Sequence, residues 1–375
     1  MSRPDQRPMQ RLPVLEAHRA ALETCVFCPK LCRSACPVSN AEPTETLTPW
    51  GKMSSAYFVA QGDVPATESF ARTSLACTGC HACRDLCDHK NDVTGTLFAA
   101  RSAQASLGTL PASALNVART FPALAERSRE AIERLADHQL VRAGATTALL
   151  VGCTYARSAS AEARDAVTAA TGVLREPIAL VNECCGLPLL YAGDAIGFAR
   201  QAAKMAETLE RYRRVVVVDA GCASALRQRY PEVGAKVRPP VELLVELAAD
   251  DLDNLSPVPT STLIRYHDPC QLGRGLGVYE APRRVLARVT GRAPGEFVRQ
   301  GKDASCSGAG GLLPVTMPDA SRRIASSRQT EHEEAGGGEI VTACASSLLS
   351  MRKAGSAPVS DIVSWVARAV QPFRP

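Results

Sequence analysis

Eight of the chain's fifteen cysteines stand in two tight bunches near the N-terminus, and no other feature limits the fold so severely. Cys25, Cys28, Cys32 and Cys36 read C-x2-C-x3-C-x3-C and close on Pro37. Cys77, Cys80, Cys83 and Cys87 read C-x2-C-x2-C-x3-C. Three thiolates on a tight turn reach three corners of a cubane iron–sulfur cluster. The fourth, after a three-residue step, points away and ligates a neighbouring cluster. The spacing therefore assigns Cys25, Cys28, Cys32 and Cys87 to one [4Fe-4S] cluster, and Cys77, Cys80, Cys83 and Cys36 to a second. Zinc competes, since two C-x2-C pairs make a four-thiolate site, but it leaves the third and fourth cysteine of each bunch unexplained. The extra residue in the first bunch requires a wider loop, and Asp88 stands where a proline commonly follows the last cysteine. His81 and His89 read as surface groups or supports of the ligands, not as ligands.

A disulfide framework suits small secreted chains. This chain has 375 residues, enough for two or three cores, and residues 1–20 contain no apolar stretch of signal-peptide length. A cytoplasmic location is expected, peripheral to a membrane only through a partner. No apolar run is long enough for a transmembrane span. The net charge of +5, from 43 basic and 38 acidic residues, is too mild to indicate nucleic acid binding.

Residues 109–142 lack cysteine and read as a helix that starts near Pro122, with Leu124, Ile132 and Leu135 on one face. Beyond them the pattern turns to parallel α/β structure. Thr147–Gly152, Ile178–Asn182, Arg214–Asp219, Thr262–His267 and Glu339–Thr342 read as strands. Phe198, Ala202, Met205, Leu209 and Tyr212 share one helix face. This zone repeats itself. Cys184 and Cys306, Gly186 and Gly308, and Cys222 and Cys344 are each separated by 122 positions, and Cys222-Ala-Ser-Ala-Leu echoes Cys344-Ala-Ser-Ser-Leu. Cys153 and Cys270, each just after a strand, complete the two sets. The expectation is two α/β units related by a pseudo-twofold, with cysteines at the carboxyl ends of strands, where open α/β sheets place ligands.

The string His267-Asp268-Pro269-Cys270-Gln271-Leu272-Gly273-Arg274 resembles the HDPCxLGR signature of heterodisulfide-reductase-type iron–sulfur proteins. Their relatives include the iron–sulfur subunits of glycolate oxidase and of anaerobic glycerol-3-phosphate dehydrogenase. Cys184-Cys185-Gly186 resembles their cysteine-rich CCG motif, and Thr48-Pro49-Trp50-Gly51-Lys52-Met53 matches the segment between their two bunches. The resemblance runs from about residue 20 onward. It implies a subunit that takes electrons from a flavoprotein (FAD) dehydrogenase and passes them to a membrane quinone-reducing partner or another acceptor. In some members the CCG repeats hold a non-cubane four-iron cluster that splits a disulfide. Here a full repeat's closing C-x2-C is degraded: Asp219 and Val341 replace its first cysteine, and Ser307 replaces the second cysteine of the doublet. Cys153, Cys184, Cys185 and Cys222 remain candidate ligands of a third iron–sulfur or zinc site. Cys270, Cys306 and Cys344 form a poorer set, expected to hold no non-cubane cluster.

The sequence thus predicts an α+β multidomain chain: a mostly α-helical two-cluster ferredoxin-like domain (15–108), linking helices (109–146), and two pseudo-symmetric α/β CCG repeats (147–257 and 258–375). Its expected role is electron transfer, with no catalytic nucleophile of its own. A thiol–disulfide reductase and a zinc-bound scaffold are the alternatives. Gly308-Ala-Gly-Gly reads as a tight turn, lacking the lysine and spacing of a phosphate loop, and Gly336-Gly337-Gly338 as a plain loop. Glu331, His332, Glu333 and Glu334 read as a solvated helix face, His267 and Asp268 as structural, and Trp50 and Trp365 as packing residues.

Overall fold

The computed structural model describes residues 8–136, 140–371 and 373. The chain forms two compact units. The first takes the chain up to Thr120 together with 188–197 and 308–324; the second takes 121–187, 198–307 and the chain from Ala325 onward.

Among the described residues the first unit is built of helices and turns. Helix Pro49–Gln61 begins where the chemistry allows: Thr48 caps it by accepting from the Gly51 amide at 3.0 Å, and Pro49 occupies the first turn, where its missing N–H costs nothing. Gly62, at φ 89°, ends it. Asp92 caps Val93–Ser106 in the same way. Leu22, Cys25, Met53, Val59 and Leu97 close the core between these helices.

The second unit holds two parallel sheets. In the first, β1 (Thr147–Leu150), β2 (Ala179–Leu180), β3 (Arg214–Val217) and β4 (Val241–Leu243) lie in the order β2-β1-β3-β4. In the second, β5 (Ile264–Tyr266), β6 (Glu339–Thr342) and β7 (Val359–Asp361) lie in the order β5-β6-β7, and Gly295 bridges Arg265 in parallel on the far side of β5. β4 and β7 have no counterpart among the strands expected from sequence. Each has three residues and runs straight into a helix, too short for a periodic signal.

Two expectations are corrected. The linking helix is Ala112–Glu133, starting just after Pro111 rather than near Pro122, which sits inside it. Ten residues precede Pro122 in the helix, half of them helix-favouring Ala, Leu or Arg, so the helix is already formed when the proline is reached. Nor is the 331–334 face solvated throughout. His332 is fully buried with its ring 5.7 Å from Phe297, one helical turn after Arg328, which stacks 3.5 Å from the same ring. Glu331 pairs with Arg328 at 2.7 Å, and only Glu333 and Glu334 are exposed. Arg328 donates to His267 Nδ1 at 3.1 Å, and Asp268 takes a two-pronged ion pair from Arg283.

Candidate functional site

In both N-terminal bunches a residue with left-handed backbone turns the chain into a short helical segment. Lys30, at φ 67°, precedes Leu31–Ala35, and His81, at φ 60°, precedes Ala82–Leu86. The third cysteine of each bunch lies on that segment, and the fourth follows it in extended conformation. The additional residue in the first bunch is taken up before Lys30, where Pro29 stands.

The thiols ring two cavities. One is lined by Cys25, Cys28, Cys32, Cys87, Cys83 and Asn91. The other is lined by Cys36, Cys77, Cys80, Cys83, Lys52 and His81. The last cysteine of each bunch therefore faces the cavity of the other bunch. Among the described residues no three His, Cys, Asp or Glu side chains gather where a single ion would sit. Sulfur-only donors ringed about a cavity, with N–H groups aimed at them, fit a multi-iron cluster. Those N–H groups are the Asn91 amide, 3.0 Å from Cys25 Sγ, the Lys52 ammonium, 3.2 Å from Cys36 Sγ, and the Gly79 backbone N–H, 3.4 Å from Cys77 Sγ. Burial pushes the Cys25 thiol up to about 12, with Asn91 opposing, and the Cys32 thiol up to about 11. Loading iron must displace these protons.

Sequence reasoning missed the residues around the thiols. Lys52 is 2% exposed and Arg101 fully buried. Arg101 donates to the carbonyls of Ser74, Cys77, Tyr191 and Gly311 at 2.7–3.1 Å. The loop read as a tight turn therefore rests on the Cys77 loop; a Cβ at Gly310 or Gly311 would strike the carbonyl of Thr78 or Cys77. A buried arginine in an apolar helix is a signal that the sequence does offer, since such a charge needs several acceptors. His81 is buried beside the second cavity and not at the surface.

In the second unit the cysteines follow strand ends. Cys153 comes three residues after β1, Cys222 five after β3 and Cys344 two after β6. Cys184 Sγ lies 3.9 Å from Cys153 Sγ, and Cys185 Sγ 3.5 Å from Cys222 Sγ. Asp219 accepts from the Gly221 and Cys222 amides, and also from the Ala345 amide just after β6. Burial, then the Asp219 carboxylate, pushes the Cys344 thiol up to about 12. Of the second set, Cys306 is buried and Cys270 and Cys344 are half-buried. Ser307, in the place of a doublet cysteine, is hydrogen-bonded to Ser347 at 2.9 Å.

Comparison with known proteins places two matches to a cysteine-rich domain at residues 147–227 and 264–352, and a 4Fe-4S dicluster domain at residues 21–91. A subunit of dihydromethanophenazine:CoB–CoM heterodisulfide reductase from Methanosarcina barkeri is 27% identical over 376 residues, covering 91% of each chain. A subunit of the fumarate reductase (CoM/CoB) from Methanothermobacter marburgensis is 25% identical over 331 residues, covering 86% of this chain but 66% of that one, just under two thirds of its length. A crystal structure of a hypothetical protein from Helicobacter pylori shares the fold, with a TM-score of 0.56 at 8% identity over 96% of this chain and 76% of that one. No helix among the described residues is long and apolar enough to cross a membrane.

Proposed function

For a chain that joins a 4Fe-4S dicluster domain to two cysteine-rich domains, as iron–sulfur proteins of the heterodisulfide-reductase type do, we propose the role of an electron-transfer subunit that holds two [4Fe-4S] clusters, takes electrons from a flavoprotein dehydrogenase partner and delivers them to a quinone or other acceptor. The observation that carries this reading is the exchange of thiols between the two bunches. Cys87 lines the cavity of Cys25, Cys28 and Cys32, and Cys36 lines that of Cys77, Cys80 and Cys83. Such an exchange holds two clusters close together, as one-electron relay requires. The clusters supply the redox chemistry. The chain ligates them through these eight cysteines, buries them, and aims the Asn91, Lys52 and Gly79 N–H groups at their sulfurs. The names of the relatives, both reductase subunits, support a place in a multi-subunit redox complex.

In this reading the two cysteine-rich domains are related by a pseudo-twofold, supported by the repeated family match and the like strand orders. Cys153, Cys184, Cys185 and Cys222, with Asp219, hold a third centre, and the second repeat, with Ser307 and Val341, holds none. That asymmetry disfavours disulfide splitting by a matched pair of centres.

The test is iron content and EPR of the anaerobically reconstituted chain. About eight irons and two interacting signals on reduction are expected for the ferredoxin-like clusters, and about twelve if the third centre is filled. Cys87→Ser should disturb the same signal as Cys25→Ser, and Cys36→Ser the same as Cys77→Ser. Zinc in place of iron, or a colourless protein, would sink the reading and leave a scaffold.

A further inference from the structure

The two cavities have similar linings of sulfur but unlike surroundings. At the first, the polar group on the thiols is neutral: Asn91 donates to Cys25 Sγ at 3.0 Å and to the Ala21 carbonyl at 2.7 Å. A cation on its rim, Lys30, is drawn elsewhere. Its ammonium sits 3.7 Å over the Trp50 ring and 3.3 Å from the Glu45 carboxylate, and it is 37% exposed to water. At the second cavity the group is a full charge. Lys52 is 2% exposed, and its ammonium lies 3.2 Å from Cys36 Sγ. Arg101, fully buried, adds a second cation bearing on Cys77.

We propose that Lys52 sets the order of the two clusters, raising the reduction potential of the one held by Cys36, Cys77, Cys80 and Cys83 above that of its neighbour. The inference rests on the two-cluster reading above. Reduction adds one electron and hence one negative charge to a cluster, with no bond made or broken. A buried cation 3.2 Å from a ligand sulfur favours the more negative state, and the low dielectric leaves the attraction poorly screened. An amide at the other cluster offers a dipole and no net charge. With both clusters bound, a single electron shared between them would favour the one beside Lys52. Lys52 acts through the ligand it touches and is a tuning residue, not a ligand.

The experiment is an EPR-monitored redox titration of the full reconstituted chain, with iron counted in each sample. Wild type is expected to show two potentials. Cys36→Ser should alter the higher one and Cys25→Ser the lower. Lys52→Met should shift the higher potential downward and leave the lower in place; Lys52→Arg, which keeps the charge, should restore it. If Lys52→Met loses iron, Lys52→Gln is read instead. If both lose it, the assignment from the two serine variants decides alone. A higher potential that belongs to the Cys25 cluster, or one that Lys52→Met leaves unmoved at full iron content, overturns the inference while the two-cluster reading stands. Absence of redox-active iron in wild type overturns both.

Discussion

Arg101 shows how much a single side chain can carry. Its guanidinium satisfies four backbone carbonyls that are far apart in sequence, from Ser74 to Gly311. Replacing it with leucine leaves those acceptors buried without a donor, at about 1–3 kcal/mol each where water cannot enter. Arg101→Leu is expected to lower the unfolding midpoint markedly and to cut iron retention in the second cavity first, read by thermal melts beside iron analysis. Asp361 makes a different prediction. Burial pushes its carboxyl up to about 7, the nearby Glu162 and Asp219 add to this, and the hydroxyl of Tyr155 at 2.6 Å and the Val363 amide oppose it. The folded chain thus keeps this proton up to about pH 7, whereas the unfolded chain loses it near the ordinary aspartate value of 3.8. Stability should fall as pH rises through that window, by an amount on the order of a few kcal/mol, and level off above it. Asp361→Asn should flatten the slope in denaturant titrations run from about pH 4.5 to 7.5; an unchanged slope would refute the assignment.

At the scale of elements, the helix that carries Lys52 is seated by close backbone contact. A Cβ at Gly51 would lie 2.3 Å from the Glu45 carbonyl oxygen and 2.7 Å from the Thr46 Cα, neither of which can swing aside. Gly51→Ala is expected to displace the start of Pro49–Gln61, withdraw Lys52 from Cys36 and destabilise the unit by more than about 2 kcal/mol. Chemical denaturation together with the EPR line shape of the second cluster checks both effects. Gly311 is equally constrained: its φ is +61° and a Cβ would overlap the Cys77 carbonyl, so Gly311→Ala should distort the Cys77 loop and release iron faster to a chelator. Elements of this kind explain where sequence reading succeeded. β1, β3, β5 and β6 lie within the expected apolar runs because buried parallel strands are written as such runs. β4, β7 and the true start of Ala112–Glu133 escaped, since short edge strands and an interior proline carry weak or contrary local signals.

Across the whole molecule, the two units are expected to depend differently on iron. The first joins short helical segments such as Leu31–Ala35, Pro37–Ala41 and Ala82–Leu86, five residues each, too short to persist without tertiary support. The second has two parallel sheets with buried strands. Anaerobic removal of iron is therefore expected to open residues 25–36 and 77–91 to limited proteolysis while the strands of the two sheets resist it. Equal cleavage of both would show that the clusters do not hold the first unit together. The sequence by itself determined the class of chemistry, because cluster ligation is written in local spacing: a cysteine two or three residues from the next is confined by the reach of a tight turn. It also determined the repeat, through cysteines and glycines at one offset. Only the tertiary structure decided what surrounds the thiols. Asn91 meets Cys25, Lys52 meets Cys36, and the segments 188–197 and 308–324 leave the α/β repeats to pack in one unit with the N-terminal helices. Contacts spanning up to 282 positions depend on how whole elements pack, and no local periodicity records them.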